Sequence, residues 1–148
     1  MGSNFVKDHR FRNDMTIRFY SEEYPEEFQH NQLLITAGAH MSVKDYRNKM
    51  GLTDRNLVMG DSGGFQFASG ALKWDLKYRD KIFNWLSENT EVSMNLDVPP
   101  RLKNEGKFHE CLDVSIDNFK YFQSKQDGST KFLNVVQGDD KHTYKHWY

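Results

Sequence analysis

The stretch NLVMGDSGGFQ, residues 56–66, joins a short apolar run to a polar turn that contains two consecutive glycines. Runs of the same kind recur along the chain. They are four to six residues long, mostly apolar or β-branched, and several end in small or acidic residues. Runs of this length and composition predict strands that are covered on both faces, as in a parallel sheet. The other runs are residues 33–37, 91–96 and 131–136.

Longer segments with helical spacing lie between these runs. Leu76, Ile82 and Leu86 recur at the turns of one such segment, and the next has apolar residues at steps of three and four. A shorter helix is predicted from Ser42, as N-cap, to Met50, and another from Asp140 to Tyr148. The apolar positions of the second long segment are Phe108, Leu112, Ile116, Phe119 and Phe122.

Four successive strand–helix units predict an α/β fold with a parallel sheet. Both a doubly wound sheet and part of a (β/α)8 barrel fit this pattern, and in both the functional residues lie at the carboxyl ends of the strands. Residues 1–31 are polar and irregular and are predicted to form an arm or edge element. Residues 32–148 carry the alternating pattern.

Composition restricts the classes of function. The 148 residues fit one domain, and aromatic residues at 14% argue against disorder. A net charge of −1 is unlike the overall basic charge of many nucleic-acid-binding proteins. The single cysteine, Cys111, excludes an internal disulfide and favours a cytoplasmic location. No apolar run reaches the ~18 residues of a membrane-spanning helix, so no membrane partner is expected.

Polar residues follow the apolar runs where each predicted strand ends. They are Asp61 after the second run, Asp97 after the third, and Gln137 with Gly138 after the fourth. Taken singly, each has an ordinary interpretation: a tight Gly-Gly turn capped by Asp61, the end of a strand at Asp97, and an exposed turn at Gln137. Together they predict a site at one edge of the sheet. His142 and His146, four residues apart, do not by themselves predict a metal site.

Three of these segments resemble the tRNA-guanine transglycosylase family. Asp61-Ser62-Gly63-Gly64-Phe65-Gln66 is similar to the family signature, and Asp97, followed by Val98-Pro99-Pro100, matches the second base-binding aspartate. Gln137-Gly138 matches the glutamine-glycine at the next strand end. The resemblance implies that residues 32–148 form the N-terminal half of a (β/α)8 barrel that replaces guanine by a 7-deazaguanine. The short middle region favours the diverged branch that modifies DNA rather than tRNA.

The resemblance also implies roles for these residues. Asp61 is the expected catalytic acid/base and contacts the base; Phe65 stacks on it, while Ser62 and Gln66 support the pocket. Because ionised carboxylates only accept hydrogen bonds, Asp97 suits the N1–H and N2–H₂ edge of guanine, and the Gln137 amide suits O6. The backbone amides of the glycines are further candidates for contacts with O6. The expected substrate-binding residues are therefore Asp61, Ser62, Gly63, Gly64, Phe65, Gln66, Asp97, Gln137 and Gly138.

Other family features have no match in this sequence. The aspartate that attacks C1′ of the ribose and the three-cysteine, one-histidine zinc site both lie beyond Gln137 in the family, whereas eleven residues follow Gln137 here. We therefore expect no cofactor, an incomplete active site, and a companion polypeptide or self-association that completes the barrel. The alternative is a non-catalytic partner subunit that binds a base or another protein.

Overall fold

The computed structural model describes residues 19–21, 30–70, 75–138 and 140–147, without the side chains of Tyr20, Ser21, Phe65 and Phe67. Parallel strands and helices alternate along the described chain, which confirms the α/β class. The strands are Tyr20–Ser21 (β1), Gln32–Thr36 (β2), Leu57–Asp61 (β3), Val92–Met94 (β4) and Lys131–Leu133 (β5). The helices are Ala37–His40 (α1), Tyr46–Lys49 (α2), Gly64–Ser69 (α3), Leu76–Asn89 (α4), Phe108–Lys125 (α5) and Lys141–Trp147 (α6).

The strands pair in the order in which they occur in the chain, β1-β2-β3-β4-β5, and every pair is parallel. The order does not reverse anywhere among the described strands. Thr36, at the end of β2, lies in register with Asp61, at the end of β3. The expected arm over residues 1–18 and 22–29 lies outside the described residues, and β1 is an edge strand within the 1–31 segment.

The core lies on one face of the sheet. Leu33 and Ile35 of β2 are almost fully buried there, and α4 contributes the apolar cluster Ile82, Phe83, Trp85 and Leu86. The start of α4 is fixed by the Asp75 carboxylate, which accepts a hydrogen bond from Tyr78 N at 2.6 Å. An N-cap of this kind satisfies one of the otherwise unpaired amides of the first turn.

The opposite face of the sheet is less covered than the apolar runs predicted. Leu34, Met59 and Val92 lie side by side across β2, β3 and β4, and all three are only partly buried. Met94 is also partly buried, and its neighbour Leu133 is 45% exposed. Because side chains alternate between faces along a strand, all five residues lie on the face away from the core, which also carries Lys131 beside Val92. We call these five residues the open face.

Local details of two helices differ from the sequence predictions. Helix α2 begins after Asp45, which has the left-handed φ of 52°, and not after Ser42. A separate short helix, α1, follows directly from β2 and forms part of the connection between β2 and α2. Leu76, expected on the apolar face of α4, is the first helical residue and is 63% exposed. End positions of a helix lie beyond the neighbours that would cover them, so spacing alone overestimates their burial.

Helix α5 buries part of the face that apolar spacing predicts, since Leu112 and Phe122 are buried as expected. Ile116, expected in the core, is 38% exposed, whereas Ser115 and Asn118 are buried. The buried face therefore runs through Cys111, Leu112, Ser115, Asn118 and Phe122. The physical reason is that the chain after β4 presents backbone polar groups to this helix, and these groups require hydrogen-bonding partners.

Candidate functional site

The carboxyl ends of β3, β4 and β5 carry the two carboxylates and the amide that the sequence singled out. Asp61 is the last residue of β3, Asp97 lies three residues beyond the end of β4, and Gln137 lies four residues beyond the end of β5. Parallel pairing places these ends at the same edge of the sheet. The structure therefore brings the three residues to one side of the molecule.

Asp97 and Gln137 are in direct contact. Gln137 Nε2 donates a hydrogen bond to Asp97 Oδ2 at 2.7 Å. Asp97 is 6% exposed, while Gln137 is half-buried. The two side chains thus form one polar unit at the rim of the sheet, rather than the separate strand end and exposed turn that each sequence segment alone allowed.

The Asp97 carboxyl has a raised pKa, from 3.8 to about 6. The main cause is burial, which disfavours the charged form, and the negative charge of Asp61 raises the pKa further. The hydrogen bond from Gln137 acts in the opposite direction. A carboxyl with a pKa of about 6 changes its protonation state near neutral pH, unlike an ordinary surface aspartate.

Asp61 is held by groups on both sides. Its Oδ2 accepts a hydrogen bond from Thr36 Oγ1 at 3.2 Å, and its Oδ1 accepts one from Gly63 N at 3.1 Å. The tight turn that the glycines allowed as an ordinary interpretation is therefore present, with Asp61 as its cap. The negative charge of Asp61 also raises the pKa of Asp97, so the carboxylate that caps the turn is also part of the site.

The two glycines allow the chain to pass close to Asp97. A Cβ on Gly64 would lie 2.3 Å from Asp97 O and 3.0 Å from Asp97 Oδ1. Gly63 has the left-handed φ of 88°, which favours glycine. Helix α3 therefore starts against the Asp97 segment, and the close approach that glycine permits here is to protein backbone.

Ser62 and Gln66 differ in their surroundings. Ser62 is fully buried, and its Oγ donates to Asn95 O at 2.9 Å, so it ties the turn after β3 to the segment after β4. This contact gives Ser62 a supporting position, away from the rim. The Oε1 atom of Gln66 is buried and has no hydrogen-bond partner within the described part of the chain. The expected stacking role of Phe65 concerns a side chain that lies outside the described residues.

Gly138 lies next to the start of α6. A Cβ on this residue would lie 2.8 Å from Tyr144 N and 2.9 Å from Thr143 Oγ1. Its position is thus explained by close packing against the last helix, which begins as expected close to Asp140. The two residues of the glutamine-glycine pair therefore have different roles. Gln137 contacts Asp97, whereas Gly138 leaves space for the first turn of α6.

Sequence reasoning did not identify Thr36, Asn95, Ser115 and Asn118 as part of this region. Thr36 could have been found, because it ends a predicted strand beside Asp61. Ser115 and Asn118 interrupt the apolar pattern of α5, and polar residues at helical core spacing signal buried hydrogen bonding. Asn95 gave no such signal.

Two cavities of about 590 Å³ each lie away from Asp61, Asp97 and Gln137. Both are lined by residues near Leu52 and Asp54, at the amino end of the sheet. Within residues 30–70, 75–138 and 140–147, histidine, cysteine, aspartate and glutamate side chains form no group of three or more that could hold a metal ion. The described helices include none that is both long and apolar enough to cross a membrane.

A scan against protein-family models, a search of curated proteins and a search of solved structures each returned no match. The resemblance to guanine transglycosylases therefore depends on three short segments, around Asp61, Asp97 and Gln137.

Proposed function

We propose that this chain binds guanine or a 7-deazaguanine at the carboxyl end of its sheet, as part of a transglycosylase that exchanges this base in tRNA or DNA. The observation that carries the proposal is the convergence of Asp61, Asp97 and Gln137. Gln137 contacts Asp97 directly, and Asp61 acts on the pKa of Asp97. Two acids and an amide at one strand edge match the hydrogen-bonding edge of a single purine.

The chemistry of guanine fits this group of side chains. Its N1–H and N2–H₂ groups donate to carboxylates, which suits Asp97 and Asp61, and its O6 accepts from an amide, which suits Gln137. Binding a donor edge also relieves the mutual repulsion of two carboxylates. An ionised Asp97 is unfavourable in its buried position, so a ligand that donates to it contributes affinity there.

The proposed reaction is a double displacement on the glycosidic bond. A carboxylate attacks C1′ of the ribose, the bond between C1′ and N9 breaks, and guanine leaves with a proton. The incoming 7-deazaguanine then gives up its N9 proton and displaces the carboxylate. In this scheme the Asp61–Asp97 pair handles the proton, with Asp61 as the catalytic acid/base. We assign the nucleophile to none of the described residues.

The proposal includes a (β/α)8 barrel of which this chain supplies about four strand–helix units. It is supported by the uninterrupted strand order and by the placement of the core on one face. In a closed barrel the open face, formed by Leu34, Met59, Val92, Met94 and Leu133, would line the interior. A companion polypeptide or a second copy of the chain would complete the barrel, in a cytoplasmic setting that suits the free thiol of Cys111.

Calorimetric titration of guanine into the whole chain tests the base site. Asp97→Ala removes the buried acceptor, and we expect it to abolish detectable binding. Asp113→Ala is the matched control, because Asp113 is an exposed acid on α5. Equal affinity of the wild type and Asp97→Ala would contradict the assigned role. Exchange of labelled guanine into tRNA and into duplex DNA, with and without a candidate companion polypeptide, then distinguishes the two substrates.

A non-catalytic partner subunit is the second candidate. The open face favours it, because a partly exposed set of apolar side chains that extends from β2 to β5 is the kind of surface that another protein covers. A subunit of this kind would bind its partner without requiring Asp61. Loss of guanine exchange in the complex on Asp61→Ala would favour the enzyme, and unchanged exchange would favour the partner subunit.

A further inference from the structure

The segment that carries Asp97 is held on both sides by one face of helix α5. On the amino side of Asp97, Asn118 Nδ2 donates a hydrogen bond to Leu96 O at 2.8 Å. On the carboxyl side, Val98 N donates to Ser115 Oγ at 2.8 Å. Ser115 and Asn118 are three residues apart, so they lie on the same face of the helix. The two peptide groups that flank Asp97 are therefore fixed by two side chains of one rigid element.

These hydrogen bonds come from buried side chains and belong to a larger network. Ser115 is 1% exposed and Asn118 is fully buried. Ser115 Oγ also donates to Cys111 O at 2.7 Å, and Ser115 O accepts from Asn95 Nδ2 at 3.1 Å. Polar side chains at such positions cost free energy unless they are paired. An apolar residue at either position would suit the core of α5 but would leave the Asp97 segment without its partners.

We propose that Ser115 and Asn118 are positioning residues of the base site, which hold the peptide groups on both sides of Asp97 so that its carboxyl faces Gln137 and the ligand. Neither residue touches the ligand. Only the identity of the ligand rests on the proposed function, since the hydrogen bonds exist without it. The two residues act on the site through the segment that carries Asp97.

General stabilisation of the packing between helix and sheet is the competing explanation. It predicts a loss of stability but no change at Asp97, whereas positioning predicts a change at Asp97 itself. Burial is the largest influence on its pKa, followed by Gln137, its own backbone amide and the charge of Asp61 on β3. Release of the segment from α5 would admit water to the carboxyl, which lowers its pKa. Loss of the Gln137 contact would raise the pKa, but by less, because burial is the larger influence.

Titration of the Asp97 carboxyl by NMR in the ligand-free protein provides the test. In Ser115→Ala and Asn118→Leu we expect its pKa to fall from about 6 toward the ordinary value of 3.8. The affinity for guanine, measured by calorimetry, is expected to fall about tenfold, the effect of losing one buried hydrogen bond. Ser115→Ala is the milder change, because alanine favours the helix, and it remains informative if Asn118→Leu does not fold.

Asn89→Leu is the matched control. Asn89 is a buried amide on α4 whose Nδ2 donates to Trp85 O at 2.8 Å, remote from Asp97 in its contacts. It should lower the thermal midpoint and leave the Asp97 titration unchanged. An unchanged Asp97 titration in folded Ser115→Ala would overturn the inference. A wild type that binds no guanine, combined with a shifted Asp97 in Ser115→Ala, would uphold positioning and instead reject the proposed function.

Discussion

The two ends of the sheet use their polar residues in opposite ways. At the amino end, Arg47 NH1 donates to Asn89 O at 2.9 Å and forms an ion pair with Glu91 at 3.1 Å, while NH2 donates to Thr53 O at 3.0 Å. The positive charge of Arg47 is therefore balanced by the negative charge of Glu91. At the carboxyl end, Asp61 and Asp97 repel each other, and within the described residues neither is paired with a cation.

This contrast separates a structural polar cluster from a candidate functional one. The Arg47 cluster ties the loops before β3 and β4 together, and Glu91 Oε2 completes it by accepting from Val58 N at 2.7 Å. The carboxyl end instead keeps an acid with a raised pKa in an unfavourable environment. Buried acids with raised pKa values are typical of functional sites, because a ligand that donates hydrogen bonds to them can offset the cost of burying their charge.

The largest expected effect concerns the glycines of the two ends. Gly64→Ala would place a Cβ 2.3 Å from Asp97 O, whereas a Cβ on Gly51, in the amino-end loop, would have no atom within 4 Å. We expect Gly64→Ala to lower the free energy of unfolding by about 3 kcal/mol or more, because backbone must move. Gly51→Ala should cost about 1 kcal/mol, from its positive φ alone. Chemical denaturation measures the free energy of unfolding of both variants. Equal losses would show that the two ends of the sheet do not differ in how closely the chain packs at these glycines.

The next effect is expected at the amino end. Arg47→Met removes the ion pair with Glu91 and leaves backbone carbonyls of the neighbouring loops without a donor. We expect a loss of about 2 kcal/mol in the free energy of unfolding, with guanine affinity unchanged. Denaturation and calorimetry on the same variant separate the two quantities. A clear loss of guanine affinity would show that the two ends are coupled and would break the comparison.

The smallest effect has the opposite sign. The pKa of Asp97 is raised in the folded state, so the folded protein holds this proton more tightly, and stability is lost as pH rises from about 4 through about 6. A rise in pKa from 3.8 to about 6 corresponds to about 3 kcal/mol between the two protonation states. Asp97→Asn removes this penalty but buries a polar amide in its place, so we expect a net gain of about 1–2 kcal/mol at pH 7.5 that disappears at pH 4. Thermal unfolding at the two pH values measures it. No gain at pH 7.5 would show that burial of the Asp97 charge costs little.

Sequence patterns predicted the repeated alternation and its parallel sheet well. Short apolar runs located β2 to β5 to within a few residues, and the polar residues after them located Asp61, Asp97 and Gln137 at one edge. This worked because strand length, burial and the direction of parallel strands are local properties that the chain displays directly.

The remaining features depend on contacts between distant parts of the chain. Helix α3 was not predicted from the sequence, because it begins at Gly64, directly after Gly63, and glycine is a poor helix former. Apolar spacing placed Ile116 in the core, but the buried face of α5 is set by the backbone groups after β4 that Ser115 and Asn118 satisfy. The raised pKa of Asp97 likewise depends on burial by other segments.

The uninterrupted strand order has a consequence for how the molecule assembles. From β3 onward, each described strand pairs with the strand that precedes it in the chain, so every addition closes a loop of one strand–helix unit only. Short loops of this kind favour early contact formation. The sheet can therefore form strand by strand in chain order from β2, and of the described strands the last to be added is β5, beside which Gln137 meets Asp97.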